Sequence, residues 1–325
     1  MPDTMIDRRT LIVASLAAPL ATTLASPAGA APAPSRFPIW PGVAPGMPTP
    51  PVVDAFVKRS PTGAPDDIAW PHVATPMLTV SPAAAPTGGA VLLIPGGGYS
   101  RVAVGREPGS VARWFASQGI TAFELLYRLP HDHWAAGPDT ALQDAQRAMR
   151  VIRARAATWG IDPASVATIG FSAGGHVTAR LASRASLGTY APVDAADRLS
   201  ARPVVAGLMF PVITMTGPLA HAQSKRELLG PNPDEATALR YSAERDLPAD
   251  MPPTLLGHAA DDATVKAANS IRMFEALQAA AIPSELYIIE KGGHGAPLLK
   301  PDGSANLWLE RYLLFAGRHG LKVRA

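Results

Sequence analysis

The sequence predicts an α/β protein with a mostly parallel central sheet and helices on both faces. Three observations lead there. From residue 75 to residue 315, short runs of β-branched and apolar residues alternate with segments of helical periodicity. Some short runs, such as GAVLLI at 89–94, are apolar at every position, as strands buried on both faces are. A G-x-S-x-G pentapeptide, Gly170-Phe171-Ser172-Ala173-Gly174, falls where one such run passes into a helical segment.

The whole chain sets the bounds. Its 325 residues are 47% hydrophobic, enough for one large α/β domain or two smaller ones. After residue 30 no repeat or linker divides it. The net charge is +3 and no lysine- or arginine-rich run stands out, so nucleic acid is not expected as a partner. The absence of cysteine excludes disulfides, thiolate metal sites and cysteine nucleophiles.

The elements follow in order. Asp7-Arg8-Arg9 precedes an uncharged alanine- and leucine-rich run, and Ala28-Gly29-Ala30 forms an A-x-A cleavage pattern. The apolar run is about 14 residues, short of the ~20 that span a bilayer, so residues 1–30 read as a cleaved twin-arginine export signal without stable membrane insertion. Export places the protein in the periplasm or outside the cell. Residues 31–75 are proline-rich and weakly periodic. They are expected as an N-terminal extension that packs Trp40 on a catalytic domain at 76–325. Strands are expected at 75–80, 89–94, 120–127, 165–169, 204–209, 254–258 and 284–289. Helices are expected at 108–118, 140–158, 175–184, 265–280 and 306–315. On the second of these, Arg147, Arg150, Arg153 and Arg155 are expected on a solvated face. Residues 211–248 lack strong periodicity and suit loops and short helices.

A serine between glycines at a strand-to-helix corner is a nucleophile elbow, which pushes its hydroxyl out above the sheet. A serine hydroxyl needs a base, and in an open α/β sheet the working groups sit at the carboxyl ends of strands. Two later strand ends carry Asp261-Asp262 and Gly292-Gly293-His294-Gly295. The order Ser, Asp, His is that of the α/β-hydrolase fold. Ser172 is the expected nucleophile, His294 the base and Asp262, preferred over Asp261, the acid. Pro95-Gly96-Gly97-Gly98-Tyr99 follows a strand and is expected to offer the Gly97 and Gly98 amides to an oxyanion, with that of Ala173. It lacks the lysine and spacing of a phosphate-binding loop. His176 is expected to pack inside its helix. His131 and His133 flank Asp132 in a polar loop, but no third ligand is indicated, so neither metal nor organic cofactor is expected.

These segments together resemble the acetyl-xylan-esterase-like branch of the α/β-hydrolases. The matching motifs are PGGGY at 95–99, YRLP at 127–130, GFSAGGH at 170–176 and GGHG at 292–295. Asp144, GIDP at 160–163 and PPT at 252–254 add to them. The H-x-x-D-D-x-x-V turn at 258–265 places the acid on Asp262. The resemblance covers about residues 37–318 and implies removal of short acyl groups, chiefly acetyl, from sugars of plant polysaccharides. Two departures, Phe210-Pro211 and Ala296-Pro297, fall near the implied acyl or sugar pocket. The expected partner is an acylated carbohydrate or another small ester. A prolyl-oligopeptidase-like peptidase and a non-catalytic sugar-binding protein are the alternatives. The 40-residue scale of the 211–248 insertion is small for a peptidase gate, and the full residue set argues against a binding protein.

Overall fold

The computed structural model of the protein describes residues 35–59, 67–104 and 107–324. The export signal expected at 1–30 lies outside the described residues. In the described residues the chain first forms β1 (Ser35–Pro38), β2 (Ala55–Lys58), β3 (Ile68–His72), β4 (Met77–Ser81), β5 (Ala90–Ile94) and β6 (Val102–Val104). It continues through α1 (Glu107–Ser117), β7 (Thr121–Leu126), α2 (Thr140–Ala154), β8 (Val166–Phe171) and α3 (Ala173–Ser183). There follow β9 (Ala206–Met209), α4 (Ala222–Leu229), α5 (Glu235–Arg240), β10 (Thr254–Ala259), α6 (Ala268–Ala279), β11 (Ser284–Ile289) and α7 (Leu307–Arg318).

Among the described residues, eight strands form the main sheet in the order β1-β4-β7-β5-β8-β9-β10-β11. β4 is antiparallel to β1 and β7, and the pairs from β7 to β11 are parallel. The chain moves outward from β5 to β7, then returns to place β8 on the other side of β5. This reversal makes the carboxyl ends of β5 and β8 the topological switch point, the place where open α/β sheets bind their ligands. Alternation along β5 explains its unbroken apolarity. Leu92 and Ile94 join the core with Leu142, Met149 and Ile152 of α2 and Val177 of α3. Val91 and Leu93 join Phe115 of α1 and Trp308, Leu309 and Tyr312 of α7 on the other face.

The proline-rich segment departs from the expectation of an extension. β1 pairs with β4 at the edge of the main sheet, and β3 joins β2 and β6 in a small antiparallel sheet. Edge positions tolerate proline because one side needs no ladder donor, which hides such strands from a pattern search. Trp40 packs on the domain as expected. Its indole N–H donates to Asp144 at 2.8 Å, and that buried carboxylate also accepts from the backbone and guanidinium of Arg128. Arg128 in turn stacks over Trp134 and donates to the Pro45 carbonyl. The YRLP segment and Asp144 thus clamp the N-terminal region to α2.

Of the four arginines expected on a solvated face, Arg155 is exposed, whereas Arg147, Arg150 and Arg153 bond to neighbouring segments. Arg147 is 3% exposed and pairs with Asp194 and Asp197. Arg150 donates to Tyr190 and to the Leu199 carbonyl, and Arg153 donates to the carbonyls of Pro163 and Arg202. The irregular segment between α3 and β9 covers this helix, and its carbonyls need donors. α2 also ends at Ala154, before the expected 158. A short 3₁₀ turn over Ala156–Trp159 follows and sets Trp159 against Phe37 and Phe123.

Candidate active site

Ser172 stands between β8 and α3 with φ 54° and ψ −120°, a conformation that costs energy in a residue other than glycine. The flanking glycines make the corner possible. A Cβ on Gly170 would meet Thr178 Oγ1 at 2.0 Å, and one on Gly174 would meet the Ile94 carbonyl at 2.1 Å. α3 therefore sits hard against β5 and begins at Ala173, two residues before the expected start. The unpaired amides and positive dipole end of its first turn lie next to the serine.

Ser172 Oγ lies 2.8 Å from His294 Nε2, and His294 Nδ1 lies 2.8 Å from Asp262 Oδ2. Asp262 is buried, while the His294 side chain is 24% exposed. Asp262 Oδ1 accepts from the amides of Thr264 and Val265, each at 2.9 Å. Its charge is thus fully solvated by N–H groups. With Nδ1–H donating to the carboxylate, His294 Nε2 accepts from the serine hydroxyl. This arrangement can take the hydroxyl proton and stabilise the resulting imidazolium. The adjacent Asp261 points elsewhere. Its Oδ1 accepts from the Gly293 amide at 2.8 Å and ties down the loop that carries His294.

The glycine loop runs alongside. A Cβ on Gly96 would come within 3.0 Å of Ser172 Cβ, which places the loop beside Ser172. Gly97 and Gly98 have φ of 137° and 65°, and Tyr99, with φ 61°, continues this backbone without being glycine. Tyr99 is held by a residue that sequence reading assigned only to helix packing. His176 Nε2–H donates to the Tyr241 carbonyl at 2.7 Å, so Nδ1 accepts from the Tyr99 hydroxyl at 2.7 Å. Burial, with Arg180 nearby, pushes His176 down to about 3 and keeps it neutral. Both residues stand in quoted motifs, but nothing in one sequence couples positions 77 apart.

Phe210 was already expected near the site, whereas His258 and His221 escaped the sequence reading as parts of it. Phe210, at the end of β9 with φ 39°, packs edge-on to the His294 ring at 5.3 Å. His258 is buried, with Nε2 2.8 Å from the Val265 carbonyl and 3.2 Å from Asp262 Oδ2, so its N–H supports the Asp262 carboxylate. Burial holds His258 below the usual imidazole range. His221, entering α4, is lowered by burial and by the neighbouring His294. The 211–248 segment, which forms loops, α4 and α5, therefore reaches the site. Gln223 of α4 donates to Ser100 Oγ in the glycine loop at 2.9 Å.

The sheet order and the elbow define an α/β-hydrolase fold, as do the structural neighbours. The chain belongs to the BD-FAE family, which it matches over residues 80–277. It is 32% identical over 215 residues to an acetylxylan esterase of Xylanibacter ruminicola, covering 65% of this chain and 41% of that protein. It is 35% identical over 205 residues to endo-1,4-beta-xylanase B of Butyrivibrio fibrisolvens, covering 63% of this chain and 32% of that protein. The chain thus spans well under half the length of these curated relatives. Among solved structures it is similar to an acetyl ester-xyloside bifunctional hydrolase from Caldicellulosiruptor lactoaceticus. That match has a TM-score of 0.64 and 29% identity over 87% of this chain and 94% of that one. A thermophilic esterase from Thermogutta terrifontis matches with a TM-score of 0.58 and 25% identity over 75% and 86% of the two chains.

Proposed function

We propose that the protein is an exported serine esterase that removes short acyl groups, chiefly acetyl, from plant polysaccharides or oligosaccharides such as acetylated xylan. The observation that carries the reading is the continuous relay from Ser172 Oγ through His294 to Asp262, with both hydrogen bonds at 2.8 Å. Ser172 attacks the acyl carbonyl while His294 Nε2 takes its proton. The amides of Ala173 and of Gly97 or Gly98 hold the oxyanion. Collapse expels the sugar hydroxyl, which leaves with the proton from His294. Water then repeats the sequence on the acyl-enzyme, with His294 again as base.

The acetylxylan esterase relative and the acetyl ester-xyloside hydrolase neighbour support the carbohydrate ester class. The xylanase name belongs to a protein of which the match covers 32%. Glycoside hydrolysis needs two carboxylates across the scissile bond, whereas the carboxylates beside Ser172 are committed to His294 and the Gly293 amide. Export rests on Arg8-Arg9 and the Ala28-Gly29-Ala30 pattern. Hydrolysis of p-nitrophenyl acetate and release of acetate from acetylated xylan test the reading. Ser172→Ala should lower kcat by about 10⁴-fold or more with the fold intact. A folded variant with near-native turnover overturns the serine mechanism, and activity on peptides but not on esters overturns the substrate class.

A further inference from the structure

A second group of metal-ligating side chains stands beside the glycine loop. His72 ends β3, and His131 and Asp132 lie in the turn after β7. One ligand atom from each comes within 4.8 Å of the others. Asp132 Oδ1 is 2.6 Å from His72 Nδ1 and 3.6 Å from His131 Nε2. The Pro71 carbonyl oxygen is 3.0 Å from the same His131 nitrogen. The Asp132 side chain is 4% exposed, yet its Oδ2 has no hydrogen-bond partner among the described residues. A buried carboxylate left with an orphan oxygen is costly unless a hydrogen-bond donor or a cation meets it.

The hydrogen bonding of His131 points the same way. Its Nδ1 lies 2.9 Å from the Tyr99 carbonyl and its Nε2 3.0 Å from that of Pro71. A neutral ring can donate to only one of these oxygens, so with Nδ1–H bonded to Tyr99 the Nε2 lone pair is left facing the Pro71 oxygen unless a proton or a cation lies between them. Metal-bound histidines commonly donate their other ring N–H to a backbone carbonyl. Tyr99 supplies that carbonyl.

We propose that His72, His131 and Asp132, with the Pro71 carbonyl, form a binding site for one divalent transition cation of the zinc class. Two imidazoles and two oxygens suit zinc. Ligand bonds of about 2.0–2.2 Å in a tetrahedron set donor atoms roughly 3.4 Å apart. The 3.6 Å and 3.0 Å separations are close to this, and the 2.6 Å contact opens when the ion replaces the proton between His72 and Asp132. The ion ties the small sheet to the turn after β7. Through the N–H of His131 it also ties both to Tyr99 of the glycine loop. Glu227 of α4, with Oε2 3.9 Å from His131 Nδ1, adds negative charge. Sequence reading paired His131 with His133, but His133 stands exposed on the left-handed residue that ends the turn.

The purified, tag-free chain, stripped with a chelator, is titrated with Zn²⁺ by calorimetry and with Co²⁺ by visible absorption. One ion should bind per chain, and cobalt should show the intense bands of a tetrahedral site. His72→Ala alters a side chain that is 49% exposed, so the fold should survive. It should weaken binding by at least about tenfold, the least that losing even an outer-shell partner costs. His133→Asn should bind as the native chain does. No uptake by the native chain, or equal uptake by His72→Ala, overturns the site.

Discussion

The adjacent aspartates make a sharp test, because each has a distinct partner. In Asp262→Asn the side-chain oxygen keeps the two amide bonds from Thr264 and Val265. Turning the amide over would lose both, at about 0.5–1.5 kcal/mol each, so the NH₂ takes the place of Oδ2. It then faces His294 Nδ1 at 2.8 Å, where it cannot accept a hydrogen bond. The imidazole proton moves to Nε2, the nitrogen that must receive the serine proton. The expected loss in kcat is about 10⁴-fold, or about 5.4 kcal/mol in the barrier. Asp261→Asn retains an oxygen for the Gly293 amide and loses only a solvated charge. Its kcat should stay within about fivefold of native, the scale of exposed charge effects. The assay is kcat for both variants on p-nitrophenyl acetate, with thermal melts to verify folding. A crippled Asp261→Asn beside a nearly normal Asp262→Asn would refute the assignment of roles.

Other expectations follow from single contacts. The unfolded chain protonates His176 near 6.5, while the folded chain resists protonation down to about 3. The unfolded state therefore binds more protons in this window, and the stability conferred by neutral His176 is lost as pH falls through it. The thermal midpoint of His176→Gln should fall less steeply with acidification than that of the native protein, and equal slopes would contradict this. Asp144→Asn leaves Arg128 charged in a site where both side chains are fully buried. It should cost about 3–5 kcal/mol in denaturant unfolding, and a loss under about 1 kcal/mol would show that the clamp is dispensable. Replacing Arg8 and Arg9 with lysine should leave precursor in the cytoplasm on cell fractionation. Unchanged export of that variant would mean that the twin-arginine route is not used.

What a single chain discloses depends on how far apart its parts lie. The elbow was legible because strand, glycines, serine and helix occur within residues 165–184, and each has a local signature. The strand-end positions of Asp262 and His294 were legible because β10 and β11 are short apolar runs that stop at turn residues. Strand and helix periodicity determined the parallel core for the same reason: it reports which side of an element is buried. Periodicity does not report what lies against that side. Tertiary structure alone brought Tyr99 to His176, Phe210 to His294 and His72 to Asp132. It also turned the arginines of α2 into bonds to a loop with no pattern of its own, and made β1 a strand of the main sheet. Those pairings depend on how separate elements dock, and docking is set by the shape and unmet hydrogen bonds of both surfaces at once.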